Sequence, residues 1–179
     1  MHLPRLLAAG LTVTIGIAGC GGGGNSASGQ QTVPAPAAGS SHAPARPAPG
    51  QPTCARAPAS MVNAALGTDL GSPQQTLNND QTVCRFQGPQ AGEVIVQFQI
   101  GEDTNTFAAG RMQFDNNNLG DPTSNYPHFA DEAYYETLGI GALATNTLVA
   151  RRGSIEILVS SQASLRAEQK LEQQLFTKF

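Results

Sequence analysis

From Gly21 to Pro52 the chain is built of Gly, Ala, Pro, Ser and Gln, with almost no large apolar side chain. Such a stretch cannot bury enough surface to offset the entropy of ordering it, so it is expected to stay unfolded. Whatever folds must come from residues 53–179, which is one domain's worth of chain. The Gly-rich start reads as flexible coil, and the PAPAAG and APARPAPG runs read as stiffer, extended chain. His42 falls inside this segment as a spectator. A coil of this length spans roughly 30 Å, and an extended one up to about 100 Å. The expected role of residues 20–52 is therefore distance.

What precedes the tether is a short leader. Arg5 supplies a minimal positive start, and Leu6 to Ala18 is an uncharged apolar run. The run is too short to cross about 30 Å of hydrocarbon as a helix. It ends in Ile17-Ala18-Gly19-Cys20, which resembles the lipobox of bacterial lipoproteins. The small residues suit a signal peptidase, and the thiol is nucleophilic enough to take a diacylglycerol. The resemblance implies a signal peptide over 1–19, lipidation at Cys20, and a domain held outside the cell membrane. The other reading is an ordinary secretory signal with a cysteine there by chance.

The chain's net charge of −3 hides an asymmetry. From Thr53 onward there are eight basic and thirteen acidic residues, a net of −5. A negative domain repels phosphate backbones, so nucleic acid is not an expected partner. It also offers no basic patch for anionic lipid heads, so attachment to the membrane must be covalent or through protein. There is no Trp, so stacking platforms for sugars or bases have few candidates. No cofactor is expected.

With Cys20 given to lipid, Cys54 and Cys84 remain as an even pair. An oxidising compartment favours a disulfide between them. It would close a loop of about 30 residues, stabilise the fold by roughly 3–4 kcal/mol, and pin the incoming tether to the sheet. A metal or redox pair is the alternative, although the spacing is unlike CxxC and no His lies nearby in sequence.

Pro58 suits a first helical position, followed by an apolar stripe at Met61, Val62, Ala65 and Leu66 and a stop at Gly67. Thr68 to Gln81 reads as a polar connection. Thr82–Gln87 and Glu93–Gly101 read as a hairpin; Val94, Val96, Phe98 and Ile100 alternate with Ile95, Gln97 and Gln99. Thr104 is expected to cap a second helix carrying Phe107, Arg111 and Phe114 on one face, and Asn116 to Pro127 reads as loop. Ala133–Leu138, Thr147–Arg152 and Ile155–Ser160 read as strands, the last two joined at Arg152-Gly153-Ser154. Ser164 is a plausible cap for a final helix with Ala167, Leu171 and Leu175 as its stripe. The order α-β-β-α-β-β-β-α predicts an α+β domain: an antiparallel sheet of about five strands packed with three helices.

This arrangement resembles a broad group of small actinobacterial lipoproteins with an uncharacterised domain. The matching features are Cys54 before a short helix ending Ala65-Leu66-Gly67, Cys84-Arg85-Phe86, Asp131-Glu132-Ala133-Tyr134, Leu148 to Gly153, and a terminal helix. Together they cover most of residues 53–179, though this chain lacks the Trp many of that group carry. The resemblance implies an exported, lipid-anchored domain akin to PsbP-like α/β/α sandwiches, and it carries over no catalytic residue.

Constellations that could do chemistry are few. His128 is the domain's one histidine, in Tyr126-Pro127-His128-Phe129-Ala130-Asp131-Glu132-Ala133-Tyr134-Tyr135. With Asp131 and Glu132 it could form an acid–base or metal cluster. However, no second His completes a zinc site, and adjacent carboxylates on an extended chain point to opposite faces. The plainer reading is a solvated loop running into a strand. Even so, Tyr126, His128, Phe129, Tyr134 and Tyr135 form the best candidate lip of a binding surface, with one of the paired tyrosines expected in the core and the other outside. Gly139-Ile140-Gly141-Ala142-Leu143-Ala144 fits GxGxxA, but a strand rather than a helix is expected after it, so it reads as a flexible loop. The Asp115–Asp121 run lacks the oxygen ligands of a calcium loop at its fifth and twelfth positions. No GxSxG is present. Arg151 and Arg152 read as solvated hairpin charges, and Glu168 and Glu172 as salt-bridge partners of nearby Arg or Lys.

The expectation is therefore a tethered, non-catalytic domain that binds an envelope protein or a small apolar molecule. An enzyme centred on His128 and a passive structural lipoprotein are the other readings. An apolar cavity between sheet and helices would favour a small ligand. A filled core with an exposed apolar patch would favour a protein partner.

Overall fold

A computed structural model describes residues 47–89, 92–117 and 122–179. The expected signal peptide, Cys20 and most of the tether lie outside the described residues. Among those described, no helix is long and apolar enough to cross a membrane.

The chain enters as a short 3-10 turn, Cys54–Arg56, and continues into helix α1, Ala59–Leu66. Pro58 sits at the N-cap with extended backbone (ψ 145°), one position before the helix and not inside it. Gly67 ends α1 in the left-handed region (φ 72°), where its N–H reaches the Asn63 carbonyl. Seven antiparallel strands follow, interrupted by one helix: β1 (Gln74–Asn78), β2 (Gln81–Phe86), β3 (Val94–Ile100), α2 (Thr104–Asn117), β4 (Ser124–Asn125), β5 (Glu132–Leu138), β6 (Thr145–Arg152) and β7 (Ile155–Ser161). Helix α3, Leu165–Phe176, closes the fold. The sheet order is β1-β2-β3-β7-β6-β5-β4.

The domain is α+β with three helices, and the sheet has two strands more than the expected five. Both extra strands are edges. β1 lies in what reads as polar connection, and the two residues of β4 lie in what reads as loop. Neither has a buried residue. An edge strand paired on one side needs no apolar alternation, so backbone hydrogen bonding alone defines it. The cap of α2 also differs from expectation: Asp103 Oδ1, not Thr104, accepts the N–H groups of Asn105 (2.8 Å) and Thr106 (2.9 Å). Those two amides hold the Asp103 carboxyl below its ordinary range. Ser164 caps α3 as expected, its side chain accepting from the Ala167 N–H.

The sheet is covered on both faces. Phe86, Val94, Val96, Phe98, Leu148 and Ile157 are buried on one face against Val62, Ala65 and Leu66 of α1 and Leu171 and Leu175 of α3. On the other face, Phe107 of α2 packs with Tyr134 and Val149, flanked by Phe114 and Leu158. The first layer is filled: Val62, Phe86, Phe98, Leu148, Ile157, Leu171 and Leu175 are all fully buried. Cys54 and Cys84 form a disulfide with Cα atoms 5.6 Å apart, tying the chain's entry to β2. The packed chain begins slightly before Thr53. Gln51 Nε2 donates to the carbonyls of Asn79 (2.5 Å) and Gln81 (3.2 Å), and Thr82 Oγ1 donates to the Pro52 carbonyl (2.7 Å).

These bonds give the sheet a direction. Gln81, Gln99, Glu156, Arg151 and Glu132 form one transverse row, at the end where the tether joins. Arg85, Ile95, Ser160, Thr147 and Glu136 form another row nearer the opposite end. The far tips of the strands lie roughly 15–20 Å from the chain's entry at Gln51 and Pro52.

Candidate functional site at the far end of the sheet

The β5–β6 connection lies at that far end. Leu138 to Ala144 reads Leu-Gly-Ile-Gly-Ala-Leu-Ala, with no polar side chain. A strand, β6, follows it, as expected for a chain that does not form a dinucleotide loop. Gly139 and Gly141 take positive φ (83° and 62°), which turns the loop outward before a short 3-10 turn at Gly141–Leu143. A side chain on Gly139 would be strained there and would meet the Leu143 carbonyl at 3.3 Å. The result is an everted apolar loop: Ile140 is 90% exposed, Leu143 80% and Leu138 45%. Three exposed large apolar side chains thus fall within one short loop.

A cleft of about 590 Å³ opens beside the loop, and Ala142 belongs to both. One wall is the carbonyl end of α1, through Leu66, Gly67 and Thr68. Val94 and Ser161 supply strand ends, and Asp69 lies on the rim. The Asn63 side chain shapes this wall. Its Nδ2 donates to the Leu70 carbonyl (3.0 Å), while its Oδ1 accepts from the Leu70 N–H (2.8 Å) and Thr68 Oγ1 (3.0 Å). Among the described residues, no Lys, Arg or His lines the cleft.

Ser161 leads from the cleft into the core. Its hydroxyl donates to Glu168 Oε1 (2.6 Å) and accepts from the Ala163 N–H (3.1 Å). Glu168 and Glu172 are both fully buried under α3, and neither makes the salt bridge expected of it. The helix turns them inward on the same arc as Leu171 and Leu175. Glu168 Oε2 has no hydrogen-bond partner among the described residues, and the Val159 backbone is what offers Glu172 a hydrogen bond. Burial pushes the Glu168 carboxyl up to about 8, against the opposing hydrogen bond from Ser161. Burial, and then the neighbouring Glu168, push Glu172 well above the ordinary carboxylate range. Glu168 is thus held mainly as the neutral acid at neutral pH. Their i, i+4 spacing within a leucine stripe was the available sequence signal.

Of the five residues expected to form one binding lip, Tyr126 meets Phe129 and Tyr135 edge to face (ring centroids 6.0 and 5.9 Å), whereas Tyr134 lies on the other face of the sheet. Tyr126 and His128 line a smaller cleft of about 360 Å³, at the tether end, between α2 and the segment before β5. His128 sits there with a left-handed backbone (φ 62°). Phe129 is buried in the main core, and Tyr134 is buried beneath α2. Tyr135 packs half-buried against the opposite face. Because both faces of the sheet are covered, neither tyrosine of the pair is left outside. Asp131 and Glu132 are occupied elsewhere: Asp131 Oδ2 accepts the Gly153 N–H (2.7 Å), and Glu132 Oε2 accepts from Arg151 Nε (2.9 Å) and Nη2 (2.7 Å). Arg151 is therefore buried and paired, not solvated, because α2 covers its face and Thr104 Oγ1 receives its Nη2 (3.2 Å). Arg152 stays exposed, with its guanidinium over the Phe176 ring at 4.8 Å.

Asp115 Oδ1 accepts the Thr123 N–H (2.8 Å), and the rest of the calcium-like run, Asn118 to Asp121, lies outside the described residues. Among the described residues, no three His, Cys, Asp or Glu side chains gather as a metal site requires. No protein-family model matches this chain, and no curated protein or solved structure matches it.

Proposed function

We propose that this chain is a lipid-anchored, extracytoplasmic binding domain without catalytic activity, which docks an envelope protein through the far end of its sheet. The observation that carries this is the everted Leu138–Ala144 loop, where Ile140 and Leu143 stand almost fully in water. Leaving such side chains exposed forgoes roughly 25 cal/mol for each Å² they could bury. The filled layer between the sheet and α1 and α3 favours a protein partner over an enclosed small apolar ligand. Anchoring at Cys20, the tether and the loop form a consistent geometry. The tether meets the fold at Gln51, so the loop is presented at the opposite end, away from the attachment point. The lipobox resemblance, the resemblance to small actinobacterial lipoproteins and the Cys54–Cys84 disulfide support an exported domain. The bonded state of Asp131 and Glu132 weighs against an enzyme built on His128.

Site-specific photocrosslinking in the native host tests the docking. A crosslinker at Ile140 or Leu143 should give one discrete adduct, lost when the other residue is changed to Asp. Met112, an exposed apolar residue outside the loop, should give none under the same conditions. Equal adducts from Met112 would remove the loop's claim to be the docking face.

A further inference from the structure

The cleft beside the apolar loop has an electrostatic sign. Its rim carries the Asp69 carboxylate. Its wall is the carbonyl end of α1, the negative pole of that helix. Among the described residues, no cationic side chain lines it to balance these groups. Leu66, Val94 and Ala142 give the same cleft apolar walls, and Ala142 continues into the exposed loop. An apolar-walled slot with acceptors at its mouth fits the stem and head of a long basic side chain.

We infer that the docked protein anchors itself by a lysine or arginine flanked by apolar residues. The cation sits at Asp69, its methylenes lie along Leu66 and Val94, and the flanking apolar residues cover Ile140 and Leu143. This rests on the docking proposed above and adds the chemistry of the partner. A domain with net charge −5 from Thr53 onward also attracts a basic segment from a distance.

Methyl NMR of the full chain in detergent, titrated with acetyl-Leu-Leu-Xaa-Leu-Leu-amide peptides, tests it. With Xaa as Lys, the methyls of Leu66, Val94, Ile140 and Leu143 should shift together, and binding should be about tenfold tighter than with Gln and weaker still with Glu. Asp69→Asn should remove the Lys preference, and because Asp69 is exposed the variant should fold normally. Equal affinity for all three peptides at these methyls would overturn the basic anchor while leaving the docking face in place. If n-butylammonium bound as tightly as the Lys peptide, the cleft would be a site for free amines and the apolar flanks would be discarded. An absence of shifts at the far end with every peptide would remove both the anchor and the docking face.

Discussion

Glu168 should make the protein less stable as pH rises, and Glu168→Gln should abolish that part of the dependence. The carboxyl is fully buried, and burial raises it from 4.5 to about 8. Below pH 4.5 it is protonated in both folded and unfolded chains and contributes nothing. Above that the unfolded chain ionises while the folded one holds its proton. Stability then falls by about 1.4 kcal/mol per pH unit until the folded group titrates near pH 8. The loss from this residue is about 3 kcal/mol at pH 7 and about 4–5 kcal/mol by pH 8. Glutamine keeps an oxygen for the Ser161 hydroxyl and carries no charge. Its own burial cost does not vary with pH, so the variant-minus-wild-type difference isolates the titration. Urea melts at intervals from pH 4 to pH 9 measure it. The difference should move in the variant's favour by several kcal/mol across that range. A difference that stays flat would show that Glu168 ionises in the folded state as readily as in water, and the description of its surroundings would be wrong.

Glu172→Leu should raise the melting temperature at pH 7, since it replaces a fully buried carboxyl, whose desolvation outweighs its hydrogen bond, with an apolar group; a lower value on calorimetry would contradict its placement. Reducing the Cys54–Cys84 bond, or changing both residues to Ser, should cost about 3–4 kcal/mol in denaturant melts, with reductant having no further effect on the double variant. Arg151→Met should destabilise by about 3 kcal/mol because it strands Glu132, and Glu132→Gln in the same chain should recover part of the loss. Ser164→Ala should cost about 1 kcal/mol through the α3 cap, read from the same melts.

Elements with a buried face were legible in the residues. β3 alternates Val94, Val96 and Phe98 with half-exposed neighbours, and the β6–β7 hairpin turns at the expected Gly153, which takes positive φ (60°). The Ser164 cap is likewise as expected, because its signal is local to the chain. β1 and β4 were not legible, since their residues pack against little and are placed by pairing with β2 and β5. The inward turn of Glu168 and Glu172 was hidden because charge is the ordinary mark of a solvent face, and only the third dimension shows α3 seated with that arc down. Arg151 was misplaced for the same reason. The aromatic segment around His128 attracted attention as surface, yet Tyr134 packs beneath α2, and Phe129 and Tyr135 pack into the main core on the opposite face. The Leu138–Ala144 run carried its own signal, seven residues without a polar side chain, but a loop sequence does not say whether it folds inward or out.

The proposed placement of this domain outside the membrane turns on one covalent bond, and intact mass spectrometry of the mature protein from its native host measures it. The N-terminus should be Cys20, heavier by a diacylglycerol on sulfur. A mature chain that starts beyond Cys20 without lipid, or that keeps its leader in the cytosol, would contradict the tethered domain and the orientation of its docking face.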